Sequence, residues 1–283
     1  SPPNLIDKRF DFPYNDLAMN KKVTMQDVAD AAGVSKSTVS FILNGRDDLR
    51  ISEETKKKVW QVINMLNYPP NLYAKNLRGT QMNKVVAFYM GSGLSDLEKQ
   101  RFYAFFDTAA NILSESAQRA QLLLNRERLD NVDAIVAWDV SRQDFAALAQ
   151  CNFIPLIAGD CVVNDPIFYE VNLNYPALKE AADAALPMGY TYVCFAPKDA
   201  QLRQKLLDVF PDARFVHSYE DLKSLNVETA FVTEPLLRKL LMDRGSTVFY
   251  PEGLLQRQLR QIFACVSMAV SHENSEQHCF FLS

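Results

Sequence analysis

The sequence predicts a small all-α headpiece joined to an α/β body of parallel strands with helices on both faces. Three observations predict it. Residues 23–79 hold short amphipathic segments, each opened by a residue that caps helices. From Lys84 onward, short apolar runs alternate with amphipathic helical windows, the pattern of parallel sheets. The charge divides at the same place: residues 19–80 carry ten Lys or Arg against six Asp or Glu, residues 81–283 eighteen against twenty-five, so +4 faces −7. A basic module on an acidic body draws a polyanion to the module and keeps it off the body.

The leading stretch SPPNLIDKRFDFPYNDLA has three prolines, no sustained period and no apolar run of the signal-peptide kind. Residues 1–18 are read as a flexible arm or a cloning remnant, with Met19 as the natural start. The headpiece is assigned to residues 19–70. Thr24 caps a first helix with Asp27 as its capping-box partner, and Met25, Val28, Ala29 and Ala32 form one apolar stripe. Gly33 allows a tight turn, and Ser35 caps a second helix from about Lys36 to Asn44. There Val39, Ile42 and Leu43 share one face, while Lys36, Ser37, Ser40, Phe41 and Asn44 share the other. Two helices joined by a glycine turn, the second with a polar and basic outer face, read as a helix-turn-helix that sets its second helix in the major groove.

A third helix begins at Ser52, with Glu53 and Glu54 where carboxylates suit the helix dipole. Its Val59, Ile63 and Leu66 close the core over the first two helices. Pro69 and Pro70 stop it. Residues 71–80 form a linker in which Asn71 caps one more short helix, Leu72 to Leu77, ended by Gly79.

VADAAGVSKSTVS, ISEET, LNYPPN and NLYAKNLRG, in this order and spacing, resemble the DNA-binding headpiece of the lactose/galactose-repressor family of bacterial transcription regulators. The resemblance implies base contacts from Lys36 and Ser37, and phosphate contacts from Thr24, Ser35, Thr38, Ser40 and Asn44. It implies that Leu77 wedges into the minor groove and bends the duplex, with Ala74 small enough for two such helices to meet. Phe41 departs from the pattern, standing where some members carry a guanine-reading arginine. A phenylalanine there touches a thymine methyl, packs on sugar, or belongs to the headpiece core, and these remain open.

The body, residues 81–283, is read in order. Val85–Met90 is a buried strand, and a helix follows over about Leu97–Ala117. Further strands fall at Gln121–Leu124, Asp133–Trp138, Phe153–Ala158, Phe168–Asn172, Tyr192–Ala196, Arg214–His217, Thr229–Thr233, Thr247–Tyr250 and Gln277–Leu282. Helices lie between them near Arg142–Gln150, Pro176–Leu186, Gln201–Val209, Glu220–Leu225, Leu236–Met242 and Leu254–Ser271. VDAIVAW, FIPLIAGDC and YEVNLNYPALKEAADAALPMGYTYVCFA resemble the middle of the same family's effector-binding body. That body is itself similar to periplasmic sugar-binding proteins, with two doubly wound lobes and a ligand cleft at the strand ends. Beyond Ala196 the resemblance thins, and the body is shorter than the family norm. Placed by the resemblance, Asp96, Asp160, Asn172, Arg203 and Glu234 are the candidate polar groups for a sugar or sugar phosphate. Trp138 or Tyr175 would lie beneath its ring.

Other chemistries lack support. No run approaches the roughly twenty apolar residues of a membrane span. Cys151, Cys161, Cys194, Cys265 and Cys279 are scattered without CxxC spacing and are read as buried, reduced thiols of a cytoplasmic protein. His217, His272 and His278 are not at ligand spacing, so no metal or cofactor is expected. Met90-Gly91-Ser92-Gly93 lacks the phosphate-loop pattern, and there is no GxSxG or HExxH, so no catalytic residue is assigned. The expectation is a homodimeric regulator, more a repressor than an activator, on a near-palindromic DNA operator. A small ligand in the body tunes it, or the shortened body serves only as a dimerisation and protein-interaction scaffold. An enzyme or solute-binding protein with a DNA tether is the remote alternative.

Overall fold

In a computed structural model the described residues are 23–43, 51–66, 68, 84–126, 129, 132–152, 154–271 and 277–283. The expectations for Asn44, Asn71, Ala74, Leu77 and the leading arm lie outside them. Three helices form the headpiece: α1 (Met25–Ala32), α2 (Lys36–Leu43) and α3 (Glu53–Met65). Thr24 and Asp27 make the expected capping box at the start of α1. Gly33 ends the helix with φ of 67°, a left-handed conformation that costs other residues strain, and its N–H reaches back to the Ala29 and Asp30 carbonyls. The tight turn lets α2 fold back, so that Val28, Ala29, Ala32, Val39, Ile42, Leu43, Val59 and Ile63 share one core.

The body holds two parallel sheets. The first has the order β10-β5-β4-β3-β1-β2, with β1 (Val85–Tyr89), β2 (Arg119–Leu122), β3 (Ala134–Trp138), β4 (Leu156–Gly159), β5 (Tyr169–Leu173) and β10 (Cys279–Leu282). The second has the order β7-β6-β8-β9, with β6 (Thr191–Cys194), β7 (Arg214–Phe215), β8 (Thr229–Phe231) and β9 (Thr247–Phe249). Between them in sequence lie α4 (Asp96–Ser114), α5 (Arg142–Cys151), α6 (Tyr175–Ala185), α7 (Ala200–Val209), α8 (Tyr219–Ser224), α9 (Pro235–Met242) and α10 (Leu254–Ser271). The chain leaves the first sheet after β5 and returns through α10, which lays Leu255, Leu259, Ile262 and Cys265 on that sheet's core. The alternation of apolar runs predicts parallel sheets with helices between the strands, and the division into two doubly wound sheets is the one the family resemblance implies.

Several element ends fall one to three residues from expectation, and two strand starts have a plain physical cause. The strand expected at Gln121–Leu124 lies at Arg119–Leu122, because Arg119 N–H takes the Lys84 carbonyl (2.8 Å) and sets the register two residues earlier. Its alternating half-burial is that of a sheet edge, and Leu124 beyond it is exposed. The strand expected from Phe153 begins only at Leu156, after Pro155, whose nitrogen cannot donate to a ladder.

Both sheets change direction of strand order beside their first strand in sequence, β1 in one and β6 in the other. Loops leaving such neighbouring strands diverge and open a crevice at the carboxyl ends. Met90, Asp139 and Asp160 follow β1, β3 and β4; Phe195 to Lys198 follow β6, and Thr233 and Glu234 follow β8. The crevice is therefore lined from both sheets.

Candidate DNA interface and body cleft

The helix α2 is divided by burial as its sequence requires. Val39, Ile42 and Leu43 are buried, whereas Ser35, Lys36 and Ser37 are exposed and Thr38, Ser40 and Phe41 half-buried. The Ser35 hydroxyl accepts the Thr38 N–H (3.0 Å) and lies 2.8 Å from both the Ser37 and Thr38 hydroxyls. An exposed ammonium and three hydroxyls therefore stand together at a helix N-terminus, where the dipole also favours an anion. Thr24 is exposed, but its hydroxyl donates to Asp27 Oδ2 (2.6 Å), so a phosphate contact there requires that bond to be exchanged. Phe41 is half-buried and, among the described residues, is not part of the headpiece core cluster.

The body's polar centre is Arg101, on α4, with a side chain only 7% exposed. Of its three guanidinium nitrogens, one terminal nitrogen meets Asp139 Oδ2, the other terminal nitrogen meets Glu234 Oε1 at 2.6 Å, and Nε is buried without a hydrogen-bond partner. Asp139 stands at the end of β3 in the first sheet, and Glu234 follows β8 of the second, so this cation ties the two sheets together. The guanidinium is held between two aromatic faces, its central carbon 4.4 Å from the Trp138 ring centre and 4.7 Å from that of Phe195. Trp138 has no open face, because Phe105 stacks on its other side at 3.8 Å. Burial alone would lower the Arg101 pKa, but the facing Glu234 and Asp139 carboxylates raise it above its ordinary value. Burial raises Glu234, opposed by Arg101.

Asp160 completes the centre. Its two oxygens accept from Trp138 Nε1 (3.0 Å) and Gln258 Nε2 (2.9 Å). Burial pushes its carboxyl up to about 7, against the pull of the Gln258 bond and with the help of Asp139's charge. Asp139 and Asp160 both take left-handed backbone angles, φ 47° and 49°. Aspartate tolerates that region better than most residues, and the sharp turn aims both carboxylates into the crevice.

The sequence-derived cleft residues divide. Asp160, Tyr175 and Glu234 do line the remaining cavity, together with Arg101, Asp139 and Thr233, and Trp138 lies against Arg101. The other three do not. Asp96 is 87% exposed and paired with Lys99 at the start of α4, on the solvent side of a first turn whose Leu97 faces inward. Arg203 donates twice to the Pro197 carbonyl, bracing a loop. Asn172 is buried within β5, its Oδ1 without a hydrogen-bond partner. Sequence reasoning missed Arg101, Asp139 and Phe195. The strand-end rule that selected Asp160 would have found Asp139; nothing local marks Arg101 within LEKQRFYAFF.

Among the described residues no group of His, Cys, Asp and Glu is arranged to hold a metal ion, and no helix is long and apolar enough to cross a membrane. All five cysteines are free thiols, but Cys151 and Cys279 are exposed, correcting the expectation that all are buried: they sit at a helix end and on an outer strand.

Residues 24–71 match the family model described as bacterial regulatory proteins, lacI family. The sucrose operon repressor of Klebsiella pneumoniae is 25% identical over 175 residues, which cover 60% of this chain and 48% of that protein. The maltose regulon regulatory protein MalI of Escherichia coli is 36% identical over 154 residues, 50% of this chain and 43% of that one. A solved lac repressor dimer bound to operator and the anti-inducer ONPF aligns over 93% of this chain and 97% of its own, with 16% identity and a TM-score of 0.38. The chain spans about half the length of the curated relatives it matches.

Proposed function

We propose that this chain, a member of the lacI family of bacterial regulatory proteins, is a sequence-specific DNA-binding transcription regulator that represses as a homodimer. The observation that carries the reading is the division of α2, with Val39, Ile42 and Leu43 in the core and Lys36 and Ser37 left open to solvent. Lys36 and Ser37 read base edges in the major groove, with Phe41 beside them on a thymine methyl. Ser35, Thr38, Ser40, Thr24 and Asn44 hold phosphates and fix the register. Residues 71–80 enter the minor groove, and Leu77 from each copy opens the central base step. Two copies on one duplex require a near-palindromic operator.

The protein acts in the bacterial cytoplasm on the nucleoid, and no enzymatic step is assigned to it. The relatives' names, a sucrose operon repressor and a maltose regulon regulator, favour a sugar or sugar phosphate as effector. The cleft favours the other reading, a body that dimerises and meets other proteins without a sugar. The space left beside Arg101 is about 20 Å³, room for about one water, whereas small-molecule pockets run to roughly 300 Å³ and above.

Selection of bound sites from random duplex DNA by the full chain, followed by titration across a salt series, tests the regulator reading. Enrichment of a palindrome and a steep negative log–log salt slope are expected. Equal affinity for scrambled DNA would remove it.

A further inference from the structure

We propose that the body's cleft is a guanidinium site already filled by the chain's own Arg101, an internal occupant that keeps the two sheets closed where a sensor would admit a ligand. The inference rests on the regulator reading for its biological meaning and decides between the two roles left for the body.

The argument starts from what a ligand would need. A sugar bound at strand ends takes hydroxyl hydrogen bonds from carboxylates and a flat aromatic face for its ring. Both are present and both are used. Asp139 and Glu234 are each joined to the guanidinium, and the Trp138 ring is covered by Arg101 on one side and Phe105 on the other. Two carboxylates and two facing aromatic planes make a slot for a planar, delocalised cation. A neutral sugar entering it would have to expel Arg101 and leave two buried carboxylates without their counter-charge.

Further contacts close the same seam. Ser95 Oγ donates to the His217 carbonyl (2.6 Å), Lys198 Nζ to the Met90 carbonyl (3.0 Å), and Asn164 Nδ2 to Gln201 Oε1 (2.9 Å). Leu97, on the same helix as Arg101, is buried in the second sheet's core. The side chain that fills the slot thus sits on an element already anchored across it. A ligand-gated body is closed by its ligand; here a covalently attached group does the same work.

The test uses the full chain and thermal unfolding. Arg101→Ala should lower Tm by about 10 °C, since one member of a buried ionic cluster is lost. N-ethylguanidinium, which replaces the missing part of the side chain, should restore much of that loss saturably, and ethylammonium should not. Wild-type Tm and operator affinity should be unmoved by glucose, sucrose, maltose and glucose 6-phosphate. A folded Ala variant indifferent to N-ethylguanidinium overturns the proposal, as does any of these sugars that stabilises the wild type or shifts its DNA affinity. If the Ala variant is unfolded with and without N-ethylguanidinium, the wild-type sugar panel decides alone. Loss of salt-dependent operator binding in ligand-free wild type would strike the regulator reading instead, so the two failures are distinguishable.

Discussion

Lys36 and Arg101 are both cations near the N-terminal part of a helix, and the chain treats them in opposite ways. Lys36 stands exposed among the Ser35, Ser37 and Thr38 hydroxyls, with the apolar face of its helix fully committed to the core. Arg101 is buried, paired with two carboxylates and sandwiched between two rings. A surface meant for an outside partner keeps its donors in water, which costs little until the partner arrives. In the cleft the guanidinium and its two carboxylates satisfy one another except at Arg101 Nε, a buried donor without a hydrogen-bond partner, so little demand is left for an outside ligand. On the proposed reading the headpiece is built to recognise something the chain lacks, and the cleft to stay shut.

The largest effect should come from attacking the scaffold behind α2. Val39 is fully buried in the small headpiece core, and Val39→Asp places an unpaired carboxylate there. More than about 4 kcal/mol is expected, which a core of this size cannot absorb. Operator binding should vanish in a mobility-shift assay while the body's thermal transition stays put. A body transition that falls with it would show that the two regions are not independent.

Next is the clasp. Glu234→Gln keeps an acceptor for Arg101 but removes the second sheet's charge. The expected loss is about 3 kcal/mol, seen as a body Tm lower by about 5–10 °C. Operator binding at temperatures below that transition should survive, because no base or phosphate contact is touched.

Asp160 gives a pH-dependent version of the same contrast. Its folded pKa of about 7 lies above the roughly 3.9 of an unfolded aspartate. The folded chain therefore holds this proton more tightly, and the group's stabilising share is present at low pH and lost as pH rises toward 7. Asp160→Asn should be more stable than wild type at pH 8, by on the order of 2–4 kcal/mol, with the gap closing by about pH 4. Denaturant midpoints at both values check it; a gap independent of pH would place the charge on another group.

What could be read in advance divides along the same line as the two regions. The headpiece is local: capping box, glycine turn and apolar stripe lie within consecutive residues, and Thr24, Asp27, Gly33 and Val39 take their expected places. The strands of the body were also legible, since buried parallel strands are short apolar runs whatever their neighbours. The cleft was not. Arg101 owes its role to Asp139 and Glu234, 38 and 133 positions away, and an arginine in an amphipathic helix reads as a surface residue until the second sheet is set against it. Choosing Asp96 found the right helix but the wrong turn, because no pattern in the helix itself tells which turn faces a distant strand end.

The smallest expected effect is also the one that best separates reading from holding on the headpiece. Lys36→Ala removes an exposed donor from the base-reading face, with an expected cost of about 1–3 kcal/mol concentrated at one or two base positions. Ser35→Ala removes the oxygen that accepts the Thr38 N–H, costing about 1 kcal/mol of helix stability and weakening all sequences alike. Site selection with each variant measures both at once. Relaxed preference in the first and an unchanged motif of lower affinity in the second would assign the two side chains to different jobs on one helix turn. The reverse pattern would mean that the register of α2 in the groove differs from the one proposed, with Ser35 rather than Lys36 against the bases.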